Sequence, residues 1–355
     1  MGFASNVPFN ALRAFGCNPL RRFINGRLVL FANSSMALAS KLLTPAAENM
    51  LRRIGSSGPL VAPLGSMRMR KIGFVFWLAA LFMAQPAWAE VPSKLHQLEK
   101  RLAATALENP GEYGFAALDL ATGRIVSFNG NEAFPMASTM KIAVAAAYLA
   151  EVDAGRRSLY ETAGGATALS LMDRMMVRSD NRATDLLIDM LGGPRAVDWW
   201  LRSHGLSGIR VDRNIAQLLS ARRDLWDVRD SSTPTAMLEL LRLVDGDRAL
   251  TPRSRELLLD MMRRCATGSN RIRGLMPPDA RVENKTGTLN RYTSDVGFLT
   301  LPGGRRIAVA FFARGGDNRP AVIATAARAI YDAFGTDPET TGATIGTAAS
   351  RTLAQ

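Results

Sequence analysis

Phe134-Pro135-Met136-Ala137-Ser138-Thr139-Met140-Lys141-Ile142-Ala143-Val144-Ala145-Ala146-Ala147-Tyr148-Leu149 is the stretch from which the rest of the chain can be organised. From Lys141 to Val152 it is almost wholly apolar and rich in alanine, which predicts a helix buried on most faces. Ser138 stands at the start of that helix, and Lys141 follows three residues later, so both side chains share one helical face. A serine hydroxyl is a poor nucleophile unless a base lies beside it. An unperturbed lysine, pKa about 10.4, is neutral only about once in 2,500 molecules at pH 7. Burial and a second nearby cation both lower a lysine pKa; bringing it to about 8 takes roughly 3 kcal/mol. A helix start also offers free N–H groups and a dipole to developing negative charge.

Outward from this stretch, the texture divides the chain. Before it, Leu95, Leu98, Leu102 and Ala106 follow helical spacing over 91–108, a run stopped by Asn109-Pro110-Gly111. Tyr113–Leu118 and Ile125–Phe128 read as a hairpin around Ala121-Thr122-Gly123. After it, helical patterns occupy 169–177, 183–191, 196–203, 234–243 and 252–263, with Gly192-Gly193-Pro194 closing the second. Strand texture returns at 281–285, 294–301 and 305–313, followed by a last helix over 320–334 and a Thr/Gly/Ala-rich tail, 335–355, expected to be disordered. Strands at both ends of a helical block predict an α+β fold: one antiparallel sheet from about 90–137 and 281–334, covered by the first and last helices, and an all-helical lobe over about 138–280.

The formal charge of +13 raises the question of a nucleic-acid partner. Residues 1–89 hold ten basic side chains against one acid, whereas 90–355 hold 34 basic and 30 acidic ones. The body is near balance, and no nucleic-acid partner is expected. From Met67 the chain reads Met-Arg-Met-Arg-Lys, an apolar run to Ala84, and Ala87-Trp88-Ala89, the plan of a secretory signal peptide. Its apolar run is too short for a membrane span. We therefore expect the true start at Met67, cleavage near Ala89, a periplasmic or secreted product and no stable membrane span after processing. Residues 1–66 are then a mis-read leader; an uncleaved anchor or an organellar transit peptide are the alternatives.

Cys17 lies in the leader, so one cysteine, Cys265, remains beyond Glu90 and no internal disulfide can form. Only His96 and His204 occur in that part, which argues against a zinc site and against a Ser-His-Asp triad. Cys265 reads as a helix-surface or half-buried thiol, and Trp199, Trp200 and the methionines as core.

Two further motifs follow Ser138-Thr139-Met140-Lys141 in order: Ser179-Asp180-Asn181 and Lys285-Thr286-Gly287. Each tripeptide is roughly a one-in-ten event by composition, and the three in sequence resemble the penicillin-recognising serine hydrolases, most closely the class A β-lactamases. Arg182-Ala183-Thr184-Asp185-Leu186-Leu187, Gly192-Gly193-Pro194, Arg229-Asp230 with Thr233-Pro234, and Thr267-Gly268 also fit, so the resemblance spans about 92–334. It implies an acyl-enzyme on Ser138 with Lys141 as its base and the backbone N–H groups of Ser138 and Thr288 as oxyanion hole. It further implies Ser179 as proton donor to the leaving nitrogen, Asn181 as holder of the substrate amide, Lys285 as the group that orients Ser179 and attracts a substrate carboxylate, and Thr286, Gly287 and Thr288 as substrate-binding residues. Arg291 could join that carboxylate or be a solvated turn residue. No metal and no cofactor is expected, and a monomer acting on a small β-lactam or a cell-wall peptide is.

Two departures stand out. Class A enzymes carry a water-activating glutamate in the loop before Arg-Asp-x-x-x-Pro, yet no glutamate occurs from Asp212 to Asp230. Counting back from Arg229 puts Gln217 in its place, where it could position the water; counting on from Arg213 puts Ile215 there. Arg213 and Asp230 could pair across the neck of that loop. Ser138 to Ser179 is also about twenty residues shorter than in the usual enzymes, which removes a wall at the mouth of the cleft. Acylation chemistry is complete in the sequence, and deacylation chemistry is not. A β-lactamase with slow deacylation, a DD-peptidase or esterase/amidase of the same superfamily, and a non-turnover β-lactam sensor are the readings left open.

Overall fold

The computed structural model describes residues 94–336 apart from Arg223. The expectations for the leader, the signal peptide, the cleavage site, Cys17 and tail residues 337–355 lie outside the described residues. In chain order the elements are α1 (Lys94–Leu107), β1 (Glu112–Asp119), β2 (Ile125–Phe128), β3 (Phe134–Pro135) and a 3-10 turn (Ala137–Met140) that runs into α2 (Lys141–Asp153). A small hairpin of β4 (Thr162–Ala163) and β5 (Ala166–Thr167) leads to α3 (Ala168–Val177), α4 (Asn181–Leu191), α5 (Pro194–Ser203) and α6 (Ile215–Ser220). Then come β6 (Ser231–Ser232), α7 (Pro234–Asp245), α8 (Pro252–Arg263), β7 (Arg281–Leu289), β8 (Tyr292–Thr300), β9 (Arg306–Arg314) and α9 (Arg319–Gly335). The last helix therefore takes in Gly335, the first residue assigned above to the tail.

One five-stranded sheet, order β2-β1-β9-β8-β7, is antiparallel throughout and joins the two ends of the described chain. Its period-2 alternation sends side chains into two cores. Phe115, Ala117, Val309 and Phe311 face α1 and α9, while Ala116, Leu118, Ala310 and Phe312 face the helical lobe. The fold is the expected α+β arrangement.

Helix starts in the lobe follow local chemistry. Thr233 and Thr251 accept the N–H groups of Ala236 and Ser254 and are each followed by proline, a residue with no N–H to leave orphaned at the first helical position. Asp180 caps α4, and Gly192, at φ +99°, ends it in the left-handed region. On α5, Trp200 is core as expected, but its neighbour Trp199 is 68% exposed. Successive helical residues point about 100° apart, so only one of the pair can share the face of Val197 and Leu201. The Met residues of α3 and α8 are buried, and Cys265 is more buried than expected, with Sγ 3.5 Å from Thr267 Oγ1.

At the end of β9 the Arg314 side chain, 3% exposed, collects several segments. It donates to Glu112 and Glu132 and to the carbonyl oxygens of Ala133 and Leu225. Its guanidinium also lies 4.7 Å from the Phe134 ring centroid and 5.2 Å from that of Trp226. Among the described residues, no helix is long and apolar enough to cross a membrane.

Candidate active site

Ser138 is the one residue between 134 and 149 that is not buried. The turn that carries it is fixed from both sides. Met136 N–H donates to Asp230 O, while Tyr292 Oη and Ser294 Oγ, both on β8, donate to the carbonyl oxygens of Pro135 and Met136. Ala137, immediately before Ser138, is held at φ +51°, a left-handed conformation that costs a residue with a Cβ about 1 kcal/mol or more. Gly287 on β7 packs against this turn: a Cβ there would stand 2.3 Å from Ser294 Oγ and 2.8 Å from Met136 O. The Gly of the Lys-Thr-Gly motif thus allows β7 and the serine turn to touch.

Lys141 is fully buried on α2, and its Nζ donates to Ser179 O at 2.7 Å, Ser179 Oγ at 3.1 Å and Asn181 Oδ1 at 2.9 Å. Lys285, equally buried, donates from the sheet side to the same Ser179 Oγ at 3.0 Å and to Thr286 O at 2.9 Å. Ser179 is itself left-handed, at φ +59°, between α3 and α4. All three motifs therefore converge on one hydroxyl. Burial first, and the like charge of Lys285 second, lower the Lys141 pKa to about 7, with Asp180 and Asp185 opposing. That is further than the value of about 8 considered from sequence. Burial also lowers Lys285, against the opposing charge of Asp295. A lysine near neutrality in a serine's helical turn can accept a proton, and a serine between two amines can relay one.

The model of the β-lactamase enzyme family matches residues 97–334. The chain belongs to the class A β-lactamase family. The carbapenem-hydrolysing β-lactamase KPC of Klebsiella oxytoca is 33% identical over 251 residues, covering 63% of this chain and 85% of that protein. A β-lactamase of Streptomyces albus G is 34% identical over 233 residues, 58% of this chain and 73% of that one. Among solved structures, an ancestral class A β-lactamase of Gram-negative bacteria aligns with TM-score 0.64 and 36% identity, covering 67% of this chain and all of its own. A β-lactamase from Chitinophaga pinensis aligns with TM-score 0.63 and 28% identity over 67% of this chain and 99% of its own. As a member of this family the protein is a hydrolase of the serine β-lactamase type.

Within the class A site, Thr288 is exposed at the cleft end of β7 and its Oγ1 accepts Arg271 Nη2 at 2.7 Å. Arg271 also donates to Gly287 O and Ser294 O, both at 3.0 Å. Sequence reasoning did not single out Arg271, one of several arginines between 263 and 273, and no signal in that run separates it from the others. Asp295, fully buried on β8, accepts Ile272 N–H and Asn284 Nδ2, and burial raises its pKa to about 6. An acid inside the apolar run of β8 is a signal that could have found it. Arg291 stands exposed on the β7–β8 turn.

The loop from Arg213 to Asp230 closes as anticipated. Arg213 Nε meets Asp230 Oδ2 at 2.5 Å, and Asp230 Oδ1 accepts the N–H groups of Asp212 and Arg213. Counting on from Arg213 puts Ile215, 3% exposed in the first turn of α6, in the glutamate's place; the pair anchors both ends of the loop and does not choose between the two counts. Counting back from Arg229 instead gives Gln217, expected to position the water. Gln217 is exposed, and its amide serves a capping box: Oε1 accepts Asn214 N–H at 3.0 Å while Asn214 Oδ1 accepts Gln217 N–H at 2.9 Å. No hydrogen bond joins it to Ser138, Lys141, Ser179 or Asn181. Between the loop and the serine turn lies a cavity of about 40 Å³ lined by Pro135, Ala137, Leu218, Leu225, Asp230 and Leu289 among others, large enough for a water.

Proposed function

We propose that this protein opens β-lactam amides by forming an ester on Ser138. The observation that carries the reading is the shared hydroxyl of Ser179, 3.1 Å from Lys141 Nζ and 3.0 Å from Lys285 Nζ. Lys141, buried to a pKa of about 7, takes the Ser138 proton. Ser179 returns a proton to the departing lactam nitrogen, and Lys285 draws the substrate carboxylate toward Thr286, Gly287 and Thr288. Asn181 holds the substrate side-chain amide, and the N–H groups of Ser138 and Thr288 receive the oxyanion. With no glutamate in the loop, hydrolysis of the ester is slow relative to its formation. An intact-mass time course with a penicillin tests this: one adduct per chain should appear on Ser138 and decay slowly, and Ser138→Ala should take none. Labelling that persists in Ser138→Ala refutes the assignment.

The segment between Ser138 and Ser179 favours a second reading. It holds only α2, the two-residue strands β4 and β5, and α3, a short span that supports a cleft open to bulkier substrates such as cell-wall peptides. Turnover of a D-Ala-D-Ala peptide faster than of any penicillin would establish it. The Met67 signal motif supports export to the periplasm with Glu90 as the first mature residue. Sequencing of the exported protein's N-terminus checks this, and residues 1–66 found on it would overturn it.

A further inference from the structure

The loop lacks a glutamate, but its first helical turn meets a carboxylate from α4. Asp185, on α4, accepts Ile215 N–H with Oδ1 at 2.6 Å and Ala216 N–H with Oδ2 at 3.0 Å. It follows Asn181 by four residues and so shares its helical face, and Asn181 is a direct partner of Lys141. The charged groups that face Lys141 are Lys285 from β7, Asp180 at the cap of α4 and Asp185 within α4. Asp180 is already engaged with Arg174 and with the N–H of Ala183. Asp185 makes no ion pair among the described residues, and both of its oxygens are taken by the two loop N–H groups.

We propose that Asp185 takes over, at one remove, the charge of the missing loop glutamate: it holds the first turn of α6 and stabilises the ammonium formed when Lys141 deprotonates the hydrolytic water. The inference rests on the acyl-enzyme reading above. Neutral Lys141 takes one proton from water, and the hydroxide oxygen adds to the ester carbonyl on Ser138. The tetrahedral intermediate then breaks its bond to Ser138 Oγ, which receives the proton back from Lys141, leaving a free acid and the serine hydroxyl. Asp185 touches none of the reacting atoms and is a positioning residue. Both of its oxygens are occupied by backbone N–H bonds, which suits a fixed positioning group better than a proton acceptor.

The test compares the full chain with Asp185→Asn and Asp185→Glu, following acyl-enzyme formation and decay by rapid-quench intact mass with a chromogenic cephalosporin from pH 5 to 9. Asn can still accept Ile215 N–H, so Asp185→Asn should fold and acylate on Ser138. Its ester should decay about tenfold more slowly, with the acid limb of the decay profile moved down by roughly one pH unit. Asp185→Glu, which keeps the charge, should recover most of the limb position. An unmoved limb in Asp185→Asn overturns the inference, whether the decay rate is unchanged or has fallen together with the melting temperature, because a purely structural tie would leave the profile in place. A wild type that never acylates on Ser138 overturns the underlying reading instead, and is recognised by the absence of any adduct.

Discussion

Gln217 Oε1 accepts the backbone N–H of Asn214 at 3.0 Å, and the side chain that sequence counting places near the chemistry instead closes the start of α6. A glutamate fits the same capping box and would sit at the same exposed position. Gln217→Glu should therefore leave ester hydrolysis within about twofold of the wild type while adding up to about 0.5 kcal/mol of helix stability. Pre-steady-state kinetics with a chromogenic cephalosporin check the first part; a tenfold faster steady state would reinstate Gln217 beside the water.

Lys141 sets the pH dependence. Its folded pKa of about 7 lies below the ordinary value near 10.5, so acylation should rise with pH along a limb centred near 7. Linkage gives stability the same sign. Between these two values the unfolded chain binds more protons than the folded one, so folding becomes more favourable as pH rises through that window. In Lys141→Met both effects should vanish, acylation should fall about 10²–10⁴-fold, and the pH slope of the melting temperature should flatten.

Gly287→Ala should act on Ser138 without touching it. The added methyl would meet Met136 O at 2.8 Å, a backbone atom on a turn already held by β8. We expect the serine turn to shift and acylation to drop by at least about 10²-fold, the scale of a misplacement near 1 Å, with the fold retained by circular dichroism. Wild-type acylation in this variant would show that the contact between β7 and the turn is dispensable.

The neck of the loop predicts a stability effect. Asp230 is buried and satisfies two N–H groups and the Arg213 guanidinium. Asp230→Ala leaves Arg213 only its 3.5 Å partner Asp227 and strands two donors, and should cost about 3–5 kcal/mol, seen as a fall in melting temperature of roughly 6–20 °C at this chain length. A fall under about 3 °C would mean that the loop is held elsewhere.

The elements legible in the sequence are those whose apolar pattern decides their position. The Ala-rich run after Lys141 is α2 within one residue, and Pro252–Arg263 has the expected bounds. β7 extends four residues beyond its expected end at Lys285, to Leu289. Thr286-Gly287-Thr288 carries no apolar alternation, and the register Thr286↔Asp295 and Thr288↔Thr293 with β8 keeps it extended. α6 is not legible from periodicity because six residues give no helical period, although Asn214 and Gln217 spell a capping box. The motif residues around Ser179 could be listed from sequence, but their meeting on one hydroxyl depends on the packing of α2, α4 and β7. Counting alone puts either Gln217 or Ile215 in the glutamate's place, and the Arg213–Asp230 pair closes the loop from both ends without choosing between them.

Arg314 gives the loop a history that a sequence alignment would not show. Its guanidinium holds Leu225 O and the Trp226 ring on one side and Ala133 O and the Phe134 ring on the other. Phe134 opens the segment that leads into Ser138. The loop and the serine turn are thus moored to the same post, and the loop is not an interchangeable cassette. A change in the length of the loop would move Leu225 and Trp226 away from Arg314, and so calls for a matching change at the end of β9.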